Sequence, residues 1–168
     1  LISKESIAYY GDMLEKARHA DTAALTPLSL ADKYLVLSIR HRTPSEKIPV
    51  MRAESVYAFS VERMWLGTAP ILARSIDNVT LTSPDKAQAT LMRDGVDTGN
   101  TIFFTREETR WKVDLKYQTA IIDGMLTKAL KESGLSEQRF FEQILEVATH
   151  TAPEASLWEP LEPAGNTP

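Results

Sequence analysis

Apolar residues along this chain change their spacing twice. Over the first third they recur at helical intervals. Ile7, Tyr10, Leu14 and Ala17 share one face behind Ser3, a residue type able to cap a helix start. The stretch 19–22 interrupts the pattern. Ser29-Leu30-Ala31-Asp32 then has the form of a capping box, whose side chains satisfy free backbone N–H groups, and Leu30, Tyr34 and Leu37 continue on one stripe. The run YLVLSI fits a strand as well as a helix by period alone; we read it as helix. Thr43-Pro44-Ser45-Glu46 is another start signal. Pro49 removes an internal hydrogen bond, which predicts a short turn and then a renewed helix over about 50–66. That helix is apolar on nearly every side (Val50, Met51, Val56, Tyr57, Phe59, Val61, Met64, Trp65), so burial on both sides is expected, with Gly67 as its end.

From Pro70 the period falls to two. Strands are expected over 72–81, 86–93, 101–105 and 110–117, separated by a Ser83-Pro84-Asp85-Lys86 turn, a loop through 94–100 and a charged turn at 106–109. In the last strand Trp111, Val113, Leu115 and Tyr117 point one way, while Arg110, Lys112, Asp114 and Lys116 point the other. Such alternation predicts an antiparallel sheet with one covered face and one face in water. Helical spacing returns over 120–131, with Ile122, Met125, Leu126 and Ala129 as the stripe and Gly134 as its stop. Ser136 opens a further helix carrying Phe140, Phe141, Ile144, Leu145 and Ala148. From residue 151 the chain holds 4 of its 9 prolines, three glutamates and no basic residue, which reads as an extended, partly mobile tail around SLWEPL.

Helices followed by antiparallel strands whose last hairpin ends in RWKVDL resemble the NTF2-like, or cystatin-like, superfamily, particularly its small exported members. The residues that carry the resemblance are Phe103, Phe104, Trp111, Lys112, Val113 and Asp114, within about 2–117. It implies an α+β fold in which a curved antiparallel sheet wraps the N-terminal helices as a cone. Two extra C-terminal helices would follow, giving a single domain over 1–149 and a tail over 150–168. The superfamily holds enzymes, transport factors, secretion-system domains and ligand-binding cups, so fold constrains function only loosely. The resemblance also implies a periplasmic location, free or membrane-anchored; the alternative is cytoplasmic. A signal or anchor removed ahead of Leu1 would leave no trace in these residues.

Composition narrows the chemistry. With 43 % hydrophobic and 25 % charged residues in 168, the chain has the make-up of a globular domain needing no covalent staple. The absence of cysteine removes disulfides, thiolate nucleophiles and cysteine-bound zinc together. A net charge of −4 argues against a nucleic-acid partner, and the one dense basic spot, Arg40-His41-Arg42, reads as a solvated helix end. No apolar run is long enough to insert in a bilayer. His19, His41 and His150 stand apart from one another and from metal-ligand spacing, so we expect surface histidines and no metal. No phosphate loop, nucleophile elbow or cofactor motif occurs.

Two sets of candidates remain. Tyr34, Tyr57, Trp65, Asp77, Trp111, Asp114 and Tyr117 could line a ligand cavity, with Asp114 at the position of the superfamily's aspartate. Each has a plainer role. The aromatics would pack a core, Asp77 would mark a bulge, and Asp114 would pair with Lys112 or an arginine. Phe140, Phe141 and Trp158 are candidates for contact with another chain, either a different protein or a second copy. The expected function is a non-enzymatic binding or assembly module of the bacterial envelope acting through protein–protein contacts, for example in export or secretion. The alternative is a small-molecule cup, or an isomerase- or dehydratase-like enzyme using a buried carboxylate.

Overall fold

The computed structural model describes residues 2–62 and 75–161. The expected Met64, Trp65 and Gly67, and the tail beyond residue 161, lie outside them. The chain is α+β: helices, then a four-stranded antiparallel sheet, then helices. It divides into a sheet unit (2–9, 57–62 and 75–118) and a helical unit (10–56 and 119–161).

The helix starts form where the sequence places caps. Helix α1 (Lys4–His19) begins as the Ser3 hydroxyl accepts from the Ser6 N–H at 3.0 Å. Its Tyr10, Met13, Leu14 and Ala17 are buried. Asp21 caps the short α2 (Thr22–Leu25), and Ser29 caps α3 (Leu30–Arg42) by accepting from the Asp32 N–H. The ambiguous YLVLSI run is therefore helix, with Val36, Leu37 and Ile39 fully buried. A 3₁₀ turn (Ser45–Val50) holds Pro49, and α4 (Ala53–Glu62) follows. Val50, expected inside a helix buried on both sides, is 80 % exposed, because it ends the turn and precedes α4.

Arg40 organises the helical unit. Its guanidinium donates to the carbonyls of Lys16, Ala17 and Ala20 at the end of α1, and to Leu157 far along the chain. The last turn of a helix leaves carbonyls without intrahelical partners. Arg40 serves the Ala17 carbonyl and that of Ala20 just beyond the helix, and is a second donor to Lys16, which also accepts from the Ala20 N–H. Burial lowers the Arg40 pKa to about 10, against the pull of nearby Glu159, so the group remains charged at neutral pH. Arg40 is thus no solvated helix end. Its neighbour His41 is half-buried and bonded to the Thr149 hydroxyl at 2.8 Å.

The sheet runs β1 (Ser75–Ser83), β2 (Lys86–Arg93), β3 (Val96–Glu107) and β4 (Arg110–Val113), in that spatial order. Asp94-Gly95 is a two-residue turn with both residues at positive φ, which suits the twist of a hairpin. The loop expected over 94–100 is thus mostly strand. An irregularity between the pairs Thr90–Thr101 and Met92–Asp97 absorbs the extra residues, with Gly99 left-handed.

The last strand is shorter than the alternation predicts. Pairing stops at Phe104–Val113, and α5 (Lys116–Ser133) begins three residues later. Trp111 has the parity of Val113. However, β2 reaches only to the Lys86–Thr105 pair, so Trp111 sits on a hairpin tip that overhangs the sheet and is 42 % exposed. Tyr117 is on the helix and 61 % exposed, whereas Asp114, expected in water, is 3 % exposed.

Gly134, at φ +65°, follows α5, and Ser136 caps α6 (Glu137–Thr149). The tail folds back within the helical unit as a second 3₁₀ turn (Ala155–Trp158). Leu157 is buried, its carbonyl accepts from Arg40, and the Leu161 N–H donates to Arg18. This part of the expected mobile tail is therefore integral to the unit. Replacing Arg40 with Met should leave buried carbonyls unpaired and lower stability by about 3 kcal/mol, read as a drop in urea midpoint.

Candidate functional site

Asp114 sits where β4 gives way to α5, and three backbone groups around it are tied down. The Ser3 N–H donates to the Val113 carbonyl at 2.9 Å, and Ile2 bridges to Val113 in parallel. The Asp114 N–H donates to Phe103, and the Leu115 N–H donates to the Ser6 hydroxyl at 2.9 Å. A chain leaving a sheet must find new partners for these groups, and Ser3 and Ser6 at the start of α1 supply two of them.

The carboxylate is turned toward Lys86, the first residue of β2. Lys86 Nζ donates to Asp114 Oδ2 at 2.8 Å. By strand parity Lys86, Thr105 and Lys112 share one face, the face expected to be in water. At this corner it is covered. Tyr117 at the start of α5 packs on Phe103 with ring centroids 4.6 Å apart, and Lys116 pairs with Glu5 at 2.9 Å. The Lys86 side chain remains 40 % exposed at the mouth, while that of Asp114 is 4 % exposed.

The electrostatics follow from this asymmetry. The hydrogen bond to Asp114 raises the Lys86 pKa above the ordinary lysine range; desolvation works against it, and the charges of Asp114 and Glu5 reinforce it. Asp114 Oδ1 is buried and has no hydrogen-bond partner among the described residues. A buried, acceptor-only oxygen is costly to leave unmatched. A carboxylate beside an ammonium could orient a ligand or move a proton.

The other cavity candidates are scattered. Tyr57 is half-buried in the sheet unit, where desolvation raises its pKa. Asp77 is exposed at a bulge in β1, its carboxylate accepting from the N–H of Asn78, itself at φ 52°. Tyr34 is in the helical unit, within 3.2 Å of Arg42 Nη2. Trp111 stands on the exposed hairpin tip, and only Asp114 and Tyr117 come together, around Lys86. Sequence reasoning missed Lys86 by seeking Asp114's partner along its own strand. The available signal was that Lys86 opens β2 directly after a turn, two strands from Lys112 on the same face.

The three aromatics considered for contact with another chain are engaged within the helical unit. Phe140 is 5 % exposed, Phe141 is fully buried, and Trp158 packs 6.0 Å from the Phe141 ring centroid. A strongly amphipathic α6 turns this stripe inward, which is the commoner fate of such faces. Among the described residues no group of His, Asp and Glu side chains could hold a metal, and no helix is long and apolar enough to cross a membrane.

Comparison with known protein families, curated proteins and solved structures finds no match.

Lys86→Met should lower stability at pH 7 by about 2 kcal/mol. This is less than the cost of breaking a fully buried pair, because water screens the exposed ammonium. The folded pKa of Lys86 lies above its unfolded value of about 10.4, so its contribution is complete below that pH and is lost as pH rises through the folded value. Urea titrations should therefore show wild type and Lys86→Met converging only in strong alkali.

Proposed function

We propose that this chain is a non-enzymatic binding or assembly module that works through protein–protein contacts. The observation that carries this reading is the inequality of the sheet's two edges. At the β4 edge Ile2 and Ser3 pair with Val113, the last residue of the strand. Along β1, the opposite edge, all nine residues are exposed, including Ile76 at 47 %, Val79 at 61 % and Leu81 at 65 %. An open edge with apolar side chains offers main-chain hydrogen bonds and side-chain pockets to an extended segment of a partner. The bulge at Asp77–Thr80 breaks the edge into two short stretches, a device that discourages indiscriminate strand pairing while leaving room for a cognate partner.

The order of helices, antiparallel sheet and helices supports an NTF2-like arrangement, and with it a place in the bacterial envelope among exported proteins of that superfamily. A second reading, a small-molecule cup or an isomerase-like enzyme, is favoured by the single unpartnered oxygen of Asp114. It requires a solvent-reachable cavity at that atom. A high-resolution crystal structure in which Oδ1 touches only protein groups would remove it.

The double variant Ile76→Lys, Leu81→Lys should retain the wild-type melting temperature within a few degrees, since both positions are exposed. It should lose roughly tenfold or more in affinity for the native partner, measured with the partner recovered by wild-type chain. Undiminished affinity would move the contact away from β1.

A further inference from the structure

The helical unit contains a half-open cavity of about 380 Å³, distinct from the Lys86–Asp114 corner and from the β1 edge. Its walls come from three short elements. Thr22 and Thr26 belong to α2 and its C-cap, Glu137 and Gln138 to the first turn of α6, and Trp158 and Glu159 to the end of the second 3₁₀ turn. The volume is in the range of small-molecule sites, and the lining is mostly polar, with Trp158 as its one aromatic wall.

The walls are held in place before any ligand arrives. Asp21 caps α2 through the Ala24 N–H at 2.8 Å, and Ser136 caps α6. Arg40 fixes the Leu157 carbonyl at 3.1 Å, and the Leu161 N–H fixes the exit of the 3₁₀ turn on the Arg18 carbonyl at 3.0 Å. Phe141 supports the Trp158 ring from within the unit. A site held this way loses little freedom on binding.

The charge of the lining decides the class of ligand. Two carboxylates face the cavity, and each lies near a buried cation. Glu137 Oε1 accepts from the buried Lys33 ammonium at 2.8 Å, and the charge of Glu159 acts on buried Arg40. An organic cation would compete with charges already in place. The unused capacity is hydrogen bonding. Thr22 Oγ1 makes only long contacts, 3.3 Å to the Trp158 carbonyl and 3.4 Å to Glu159, which a better partner displaces readily. Carboxylates accept strongly from hydroxyl groups, threonine hydroxyls and the Gln138 amide both donate and accept, and an indole ring offers a flat apolar surface.

We propose that this cavity binds a neutral polyhydroxyl ligand of sugar size, stacked on Trp158 and hydrogen-bonded through Glu137, Glu159, Thr22 and Gln138. The ligand is either a free sugar or the end of a glycan chain, which share this chemistry.

The test is a titration of ¹⁵N-labelled full chain, following the assigned Trp158 indole resonance. The probes are the methyl glycosides of glucose, galactose and mannose, N-acetylglucosamine and its tetramer, with methylammonium as the charged control. The expected result is a saturable shift with at least one saccharide, weakened roughly tenfold in Glu159→Gln, the loss of a charge-assisted bond. Gln138→Ala, a change at an exposed position, should weaken it roughly threefold with an unchanged melting temperature. Tighter binding of the tetramer than of the monosaccharide assigns the site to a glycan chain, and equal binding assigns it to a free sugar. No saturable shift with any saccharide, a shift with methylammonium alone, or saccharide affinity unchanged in both variants would overturn the proposal.

Discussion

A buried guanidinium bonded to four backbone carbonyls is an unusual centre for a helical unit, and the arrangement around it depends on that bonding. Desolvating an arginine is costly, and among the described residues no carboxylate bonds to Arg40 to offset the cost. The compensation comes from geometry. The C-terminal end of α1 gathers the Lys16, Ala17 and Ala20 carbonyls, and the planar fork of an arginine matches several at once. Because one donor also reaches Leu157, the same side chain ties α1 and α3 to a segment more than a hundred residues away. The walls of the helical unit's cavity inherit their rigidity from that tie.

The sheet unit solves the same problem with smaller groups. Where β4 ends, the chain must shed its ladder bonds before α5 starts. Ser3 and Ser6, at the beginning of α1, take up the Val113 carbonyl and the Leu115 N–H. Their hydroxyls also lie 2.8 Å apart, so both serines are fully buried yet satisfied. That junction is what removes Asp114 from water and presents it to Lys86. The partner at the end of β4 contrasts with the exposure of every residue of β1, and the protein-contact reading grows from that contrast.

Much of the local structure was legible because it rests on neighbours in sequence. Ser3, Ser29 and Ser136 cap helices, Gly134 stops one, and Pro84-Asp85 and Asp94-Gly95 turn the chain. All of these act over two to four residues, so their types alone carry the signal. Period gave β2 to the residue, and the burial of Ala87, Ala89 and Leu91, which share one parity, follows its alternation. It failed at Trp111 and Tyr117, since alternation says which way a side chain points and not whether anything stands opposite it. An overhanging tip and a premature helix start are both invisible to period.

What the sequence by itself determined is the succession of elements and the α+β class, because caps, turns and periodicity are short-range effects. Tertiary structure alone decided which polar residues left water. Arg40 looked like part of a solvated basic cluster, Asp114 like a surface aspartate and Trp158 like an anchor on a loose tail. Each is placed by a partner distant in the chain: the carbonyls of α1 and Leu157, the ammonium of Lys86, and the ring of Phe141. Burial of a charge is set by the partners that fold around it, and a list of residues does not contain those distances.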